Sequence, residues 1–281
     1  MSLMSKILRR QSVMYSLAKE PPFRLFAKAL LKRSSAPLRL RAEWDAVVYP
    51  EYLVALIEAV EQAKKESVGH IAALEFGVER GTGLLALQGF AEAVEREYGV
   101  QISVYGFDTG RGLPDSEGDF RNHPDIWKAG DYPMDYSRLK SQLKDRTRLI
   151  LGDVADTVPE FVAEIQSAPL GFVSVDVDYY SSTLNALRVL TLPGKRMLRV
   201  LPMYFDDVYI MSSHRYAGEL AAIDEFNRLN DDVKIDRWRD IDLDRPFPNA
   251  GWLRGMYLAH DLAAISNVRV AGEPAHMPVQ L

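Results

Sequence analysis

Between His70 and His260 the chain alternates short apolar runs with segments of helical spacing. The runs His70–Phe76, Ile102–Asp108, Thr147–Gly152, Gly171–Val177 and Met197–Phe205 have strand length. Between and after them, Leu84–Tyr98, Tyr136–Lys144, Val158–Gln166, Ser182–Leu190 and Arg215–Asn230 read as helices. Alternation of this kind predicts an α/β domain, with a mostly parallel sheet covered by helices on both faces. Two further runs, Val233–Arg239 and Gly255–His260, close the pattern. The segment between them, Asp240–Trp252 with Pro246 and Pro248, suits a hairpin connection, so the last of the seven strands is expected to be antiparallel.

The first strand runs directly into a glycine-rich turn, Leu74-Glu75-Phe76-Gly77-Val78-Glu79-Arg80-Gly81-Thr82-Gly83, and then into a helix. Such a turn lets a ligand approach bare backbone. The spacing of Gly77, Gly81 and Gly83 is not the G-x-G-x-x-G order of dinucleotide sites. In open α/β sheets, ligands sit at the carboxyl ends of the strands, where Glu75 and Gly77 fall. Asp108 ends the next strand, where a carboxylate can accept the two hydroxyls of a ribose. Asp153 follows the third strand and can accept from an adenine amino group. For both aspartates the competing reading is a helix N-cap or a turn residue.

Two aspartate pairs follow buried runs. Asp176 and Asp178 leave the run Gly171–Val175, and Asp206-Asp207 follow Met203-Tyr204-Phe205. Four carboxylates opening onto one sheet edge repel unless something neutralises them. An oxygen-only set favours Mg²⁺, Ca²⁺ or Mn²⁺, and His70, His123, His214, His260 and His276 are too scattered for a zinc site. A cation there would lower the pKa of a substrate hydroxyl, and Asp178 is placed to take the proton. The competing reading makes some of these acids helix caps, although Ser181-Ser182-Thr183 offer better ones. His214 is an alternative base beside Asp206 and Asp207, or simply a histidine at a helix start.

Composition narrows the remaining classes. The 281 residues contain no cysteine, which excludes disulfides, thiolate metal sites and cysteine nucleophiles. There is neither a membrane-length apolar window nor the uninterrupted apolar core of a signal peptide, so a cytoplasmic protein is expected. The net charge of -5 is unevenly spread: residues 1–42 hold ten of the 34 Lys/Arg and one of the 39 acids, Glu20. Residues 1–48 therefore read as a basic helical arm ahead of a domain over 49–281. Phe23–Lys32 and Pro50–Lys65 have helical spacing. Interleaved Leu, Phe and Met suggest that the arm packs on the acidic body or on a second subunit. A homo-oligomer through the arm is thus expected, with nucleic acid or a membrane disfavoured as partner.

The order E-x-G-x-x-x-G-x-G at 75–83 resembles the first motif of S-adenosylmethionine (SAM)-dependent methyltransferases. More of the chain resembles the TylF-type (macrocin) O-methyltransferases, class I SAM-dependent enzymes that tailor natural-product sugars. The matching stretches are residues 74–81, Gly-Phe-Asp-Thr-Gly-Arg-Gly-Leu-Pro (106–114), Ser-Val-Asp-Val-Asp-Tyr-Tyr-Ser-Ser-Thr (174–183), Tyr-Phe-Asp-Asp-Val (204–208) and Ala-Ile-Asp-Glu-Phe (222–226). The resemblance implies a Rossmann-like class I methyltransferase fold with extra N-terminal helices. It implies SAM contacts at Glu75, Gly77, Gly81, Asp108 and Asp153, magnesium ligands at Asp176, Asp206 and Asp207, and Asp178 as general base. The acceptor it implies is a hydroxylated small molecule or glycosyl group. Phe120, His123, Trp127 and Tyr132 fall where such enzymes keep a substrate lid, and the tail after Asp261 is a second candidate for acceptor choice. Thr109-Gly110-Arg111, Tyr179-Tyr180 and the basic arm depart from the family pattern. The alternatives are an NAD-dependent oxidoreductase on a similar sheet and a non-catalytic methyltransferase-like binding module.

Overall fold

The computed structural model describes residues 21–116, 118–165, 168–194, 196–210 and 213–267. The first twenty residues of the arm, Gln166 and the tail beyond 267 lie outside the described residues. In chain order the elements are α1 (Phe23–Lys32), α2 (Leu38–Glu43), α3 (Pro50–Lys65), β1 (His70–Phe76), α4 (Thr82–Tyr98), β2 (Gln101–Asp108) and α5 (Tyr136–Lys140). There follow β3 (Thr147–Leu151), α6 (Val154–Glu164), β4 (Leu170–Val175), α7 (Tyr180–Leu187), β5 (Val200–Phe205), α8 (Gly218–Leu229), β6 (Val233–Arg237), β7 (Met256–Asp261) and α9 (Leu262–Ser266).

The seven strands form one sheet in the order β3-β2-β1-β4-β5-β7-β6. Neighbours from β3 to β5 are parallel, and β7 runs antiparallel to both β5 and β6. The antiparallel last strand is therefore inserted between β5 and β6. Strand order reverses at β1, which pairs with β2 on one side and β4 on the other. The crevice at that reversal is where an open α/β sheet binds its ligand.

The pleat sorts the core into two layers. Ile71 and Ala73 of β1 join a cluster with Leu53, Leu56 and Val60 of α3 and Leu84 and Leu87 of α4. Ala72, Leu74 and Phe76 join the opposite cluster, with Val158 and Phe161 of α6, Leu187 of α7 and Phe226 of α8. Leu53, Leu56 and Leu87 are completely buried, so truncating any one to alanine is worth about 2–5 kcal/mol. Leu38 and Ala42 of α2 also enter the first layer. Among the described residues, no helix is long and apolar enough to cross a membrane.

Several bounds differ from the pattern reading. The strand in the run at 171–177 ends at Val175, and Asp176 makes one further backbone bond, donating to the Phe76 carbonyl of β1 at 2.8 Å. Helix α6 starts at Val154, not Val158, because Asp153 caps it, and Pro159 is accommodated inside. Helix α8 starts at Gly218 instead of Arg215, so Glu219 lies in its first turn.

Candidate active site

At the end of β1 the chain turns through Gly77, whose φ of +85° is a left-handed conformation that favours glycine. A Cβ there would overlap the backbone carbonyl oxygen of Asp176 on the neighbouring strand end. The turn is held from the other side by Asp108. Its Oδ2 accepts the backbone N–H groups of Val78 at 2.9 Å and Glu79 at 3.0 Å, and its Oδ1 accepts that of Gly110 at 2.6 Å. Asp153 accepts the Ala155 N–H at 2.8 Å as the N-cap of α6. Gly77, Asp108 and Asp153 line one cavity of about 270 Å³, near the lower end for small-molecule sites.

Glu75 and Gly81 are not on that wall. The strand alternation turns Glu75 to the α3 side, where the Tyr52 hydroxyl donates to its Oε1 at 2.8 Å and itself accepts from the Ser174 hydroxyl at 3.1 Å. The other oxygen has no hydrogen-bond partner among the described residues, and a Cβ at Gly83 would overlap Oε1. Burial pushes the Glu75 carboxyl up to about 8, further raised by the charge of Asp108 and partly offset by Tyr52. Glu75 thus lies beneath the turn, on the α3 side of the sheet. Gly81, at φ +80°, is the N-cap of α4, and its Cα faces the Leu139 side chain.

The second wall of the same cavity carries Asp176, Asp178, Asp206 and Asp207. Asp178 has φ +59°, an uncommon backbone conformation for a residue with a side chain, of the kind that gathers at functional sites. Its carboxyl and that of Asp207 are close enough to perturb one another's titration. Burial raises the pKa of Asp176 far above the usual range, and Asp206 adds to the effect. Burial, followed by the charge of Asp207, raises Asp178; burial and the charge of Asp206 raise Asp207. No lysine or arginine among the described residues lines the cavity. The wall is therefore a concentration of carboxyl groups that burial and mutual repulsion drive to hold protons.

The chemistry of this set fits an oxygen-preferring divalent cation. Asp207 Oδ2 is buried with no hydrogen-bond partner among the described residues, and every donor is a carboxylate. The carboxylates are not yet gathered around a point: no group of three or more His, Asp or Glu side chains among the described residues is placed to hold a metal ion.

Two acids and one tyrosine surround this wall. Glu219, at the start of α8 and 2% exposed, accepts the backbone N–H of Asp207 at 2.9 Å, while its Oε1 is buried without a hydrogen-bond partner among the described residues. Burial, then Asp207, holds its carboxyl well above the usual range. The Tyr204 hydroxyl donates to Asp206 Oδ1 at 2.7 Å. Glu51, in the first turn of α3, is raised to about 7 by burial, with Asp206 adding to it. A glutamate in a helix's first turn ordinarily reads as a solvated partner of the helix dipole, which conceals Glu51 and Glu219 in the sequence.

The loop after β2 closes over both walls. Leu113 and the Gly130-Asp131 pair exchange backbone hydrogen bonds of 2.9 and 2.8 Å, and the Tyr179 hydroxyl donates to the Pro114 carbonyl at 3.2 Å. Trp127 and Tyr132 from this loop line the cavity together with the aspartates. Asn122 fastens the loop below, its Oδ1 accepting the Ser181 N–H at 3.0 Å. Phe120 is exposed, and His123 lies buried beside His214 with ring centroids 5.2 Å apart. His214 is not on the cavity wall; its Nδ1 accepts the Tyr216 N–H at 3.3 Å.

No protein-family model matches the chain, and neither does any curated protein. Solved structures do. The crystal structure of CalS11, a calicheamicin methyltransferase, aligns over 86% of this chain and 93% of its own, with a TM-score of 0.52 and 20% identity. The O-methyltransferase NovP aligns over 73% and 91%, with a TM-score of 0.48 and 21% identity. MycE methyltransferase in complex with Mg and SAH aligns over 73% and 48%, with a TM-score of 0.38 and 13% identity. At such identities the shared property is the fold: this chain has the Rossmann-like fold of the methyltransferase CalS11, with its seven-stranded sheet and single antiparallel strand.

Proposed function

We propose that the protein is a SAM-dependent O-methyltransferase that acts on a hydroxyl of a small molecule or glycosyl group, assisted by a divalent cation such as Mg²⁺. The observation that carries this reading is the shared cavity, with a glycine turn and ribose-competent Asp108 on one wall and four buried aspartates on the other. The ordered motifs that resemble TylF-type enzymes support the finer assignment, and the fold shared with the methyltransferase CalS11 supports methyl transfer.

When bound, SAM supplies a methyl group on a sulfonium, and the cation supplies positive charge that lowers the pKa of a coordinated hydroxyl. Asp176, Asp206 and Asp207 are the residues that would hold the cation. Asp178 takes the proton from the acceptor hydroxyl at a carboxylate oxygen, in a position set by its left-handed backbone. The Gly77 turn and Asp108 orient the donor, and Trp127 and Tyr132 exclude water and offer ring faces to an acceptor. Most of the acceleration on this reading comes from positioning.

An NAD-dependent oxidoreductase fits less well. The Val78 and Glu79 N–H groups that a pyrophosphate would use are already taken by the Asp108 carboxylate, whose charge would repel phosphate. The test is thermal shift with S-adenosylhomocysteine (SAH) and with NAD, followed by transfer of labelled methyl from SAM to polyhydroxylated acceptors with Mg²⁺ or EDTA. Stabilisation by SAH alone and Mg²⁺-dependent transfer are expected. Stabilisation by NAD alone would overturn the reading.

A further inference from the structure

The register of β5 ends at Phe205 against β4 and at Tyr204 against β7, and one further bond joins the Asp206 N–H to the Val175 carbonyl at 3.2 Å. Asp207 therefore stands on a corner beyond the sheet. Its backbone is gripped from the α8 side. Glu219 Oε2 accepts its N–H at 2.9 Å, and the Ser213 hydroxyl donates to its carbonyl at 2.7 Å. Both grips are on the main chain, so neither occupies the Asp207 carboxyl, which lines the cavity. Gly218, at φ +58°, begins α8 in a left-handed conformation, and a Cβ on it would press on the His123 ring at 3.3 Å. The side chain that follows it, Glu219, goes inward beside Asp207.

A glutamate in this place gives the fold little on its own account. An acid in the first turn of a helix ordinarily faces water and complements the helix dipole. Here it is buried, with Oε1 unmet among the described residues, and the charges that bear on it are those of Asp207, Asp176 and Asp206. Burying an acid with an unmet oxygen among other acids opposes folding.

We propose that Glu219 is a positioning residue for the cation site: by holding the Asp207 N–H it fixes the corner from which Asp206 and Asp207 present their carboxylates. This rests on the reading of Asp176, Asp206 and Asp207 as the residues that would hold the cation. The three follow two different strands, β4 and β5, and can share one cation only if the two strand ends keep their places. Asp176 is tied to β1 through its own N–H. Glu219 supplies the matching tie on the β5 side. The role requires an acceptor oxygen at Oε2, which distinguishes it from filling space.

Calorimetric titration of the metal-free, full-length protein with Mg²⁺ at pH 8 tests this, with SAH affinity measured in parallel. Glu219→Gln keeps an acceptor oxygen and should bind Mg²⁺ much as the wild type does. Glu219→Leu keeps the volume without the acceptor, and its Mg²⁺ affinity should fall by about 10–100-fold, the usual cost of losing a residue that orients a metal ligand, while SAH affinity is unchanged. Glu219→Ala gives the same reading if leucine disturbs the packing. The proposal is overturned if the leucine or alanine variant, with SAH affinity intact, binds Mg²⁺ like the wild type, or if Glu219→Gln loses as much affinity as Glu219→Leu. A parallel loss of SAH affinity in both apolar variants would also overturn it, making Glu219 a residue of the fold alone. A wild type that does not bind Mg²⁺ fails the cation reading itself and this role with it, whereas the other outcomes leave that reading standing.

Discussion

The two walls of the cavity are built on opposite electrostatic principles. On the glycine-turn wall each carboxylate is answered by the backbone: Asp108 accepts three N–H groups and Asp153 caps a helix. On the aspartate wall, carboxylates face one another, with buried oxygens on Asp207 and Glu219 that find no hydrogen-bond partner among the described residues. The first wall is complete as folded and needs only a ligand of the right shape. The second is short of positive charge and holds protons in its place. On the proposed function, cofactor positioning and acceptor activation thus impose different demands on the fold, and perturbing the two walls should give different signatures.

The largest separation is expected from Asp178→Asn. Loss of a positioned base ordinarily lowers turnover by about 10²–10⁴-fold, whereas SAH binding, a property of the other wall, should change by less than about twofold. Equal losses in turnover and SAH affinity, measured by methyl transfer and calorimetry, would erase the distinction between the walls.

Gly77→Ala attacks the seam between them. The left-handed φ and the overlap with the Asp176 carbonyl should destabilise the fold by about 2–4 kcal/mol and weaken SAH binding and turnover together. Urea unfolding and SAH calorimetry read the two effects separately.

Mg²⁺ sharpens the contrast further. Added to the metal-free protein at pH 8, it should raise the melting temperature by a few degrees, reversibly with EDTA, and by less at pH 5. The sign follows from the raised pKa values of Asp178 and Asp207: the aspartate wall must shed protons before it can bind a cation, so binding strengthens as pH rises. Asp207→Asn should reduce the shift while leaving stabilisation by SAH intact.

The smallest effect belongs to Glu75. Its folded pKa of about 8 lies above the ordinary 4.5, so the folded state holds the proton more tightly than the unfolded chain. Its contribution to stability is full at low pH and is lost as pH rises from about 4.5 to about 8. Glu75→Gln, which cannot ionise, should remove this component. Relative to wild type it should gain roughly 1–3 kcal/mol between pH 5 and 8.5 in denaturant titrations of the ligand-free protein. A constant difference between the two proteins across that range would show that the acid is not buried as described.

Where local pattern decides structure, the sequence is easily read. The bounds of α1, α3 and β1 follow directly from apolar spacing, and Pro50 at the start of α3 marks a helix beginning that proline favours. The mostly parallel sheet and its antiparallel last strand follow from alternation and short links, but the insertion of β7 between β5 and β6 does not; the aspartates of both walls can be placed because each follows a buried run. What could not be read depends on side-chain direction. Glu75 precedes the glycine turn in sequence, but a strand alternates its faces, and the residue two before Gly77 points under the sheet to Tyr52. Asp153 reads equally as ligand contact or cap; the structure shows the cap and also places it on the cavity wall. Glu219 became a neighbour of Asp207 only because the chain between β5 and α8 folds back, and nothing local encodes that return.

The Tyr52 hydroxyl, set between Glu75 of β1 and Ser174 of β4, has a kinetic consequence. These are the two strands that border the crevice, and α3 pins them together from behind. The crevice therefore cannot widen by parting its strands. Ligand exchange has to proceed through the loop in front, which is held by the Leu113 pairing with Gly130-Asp131, the Tyr179–Pro114 bond and the Asn122 anchor. Each is a hydrogen bond worth about 1 kcal/mol. On the proposed function, product would leave past these few weak fastenings near the surface, while the floor of the site is pinned from behind by Tyr52.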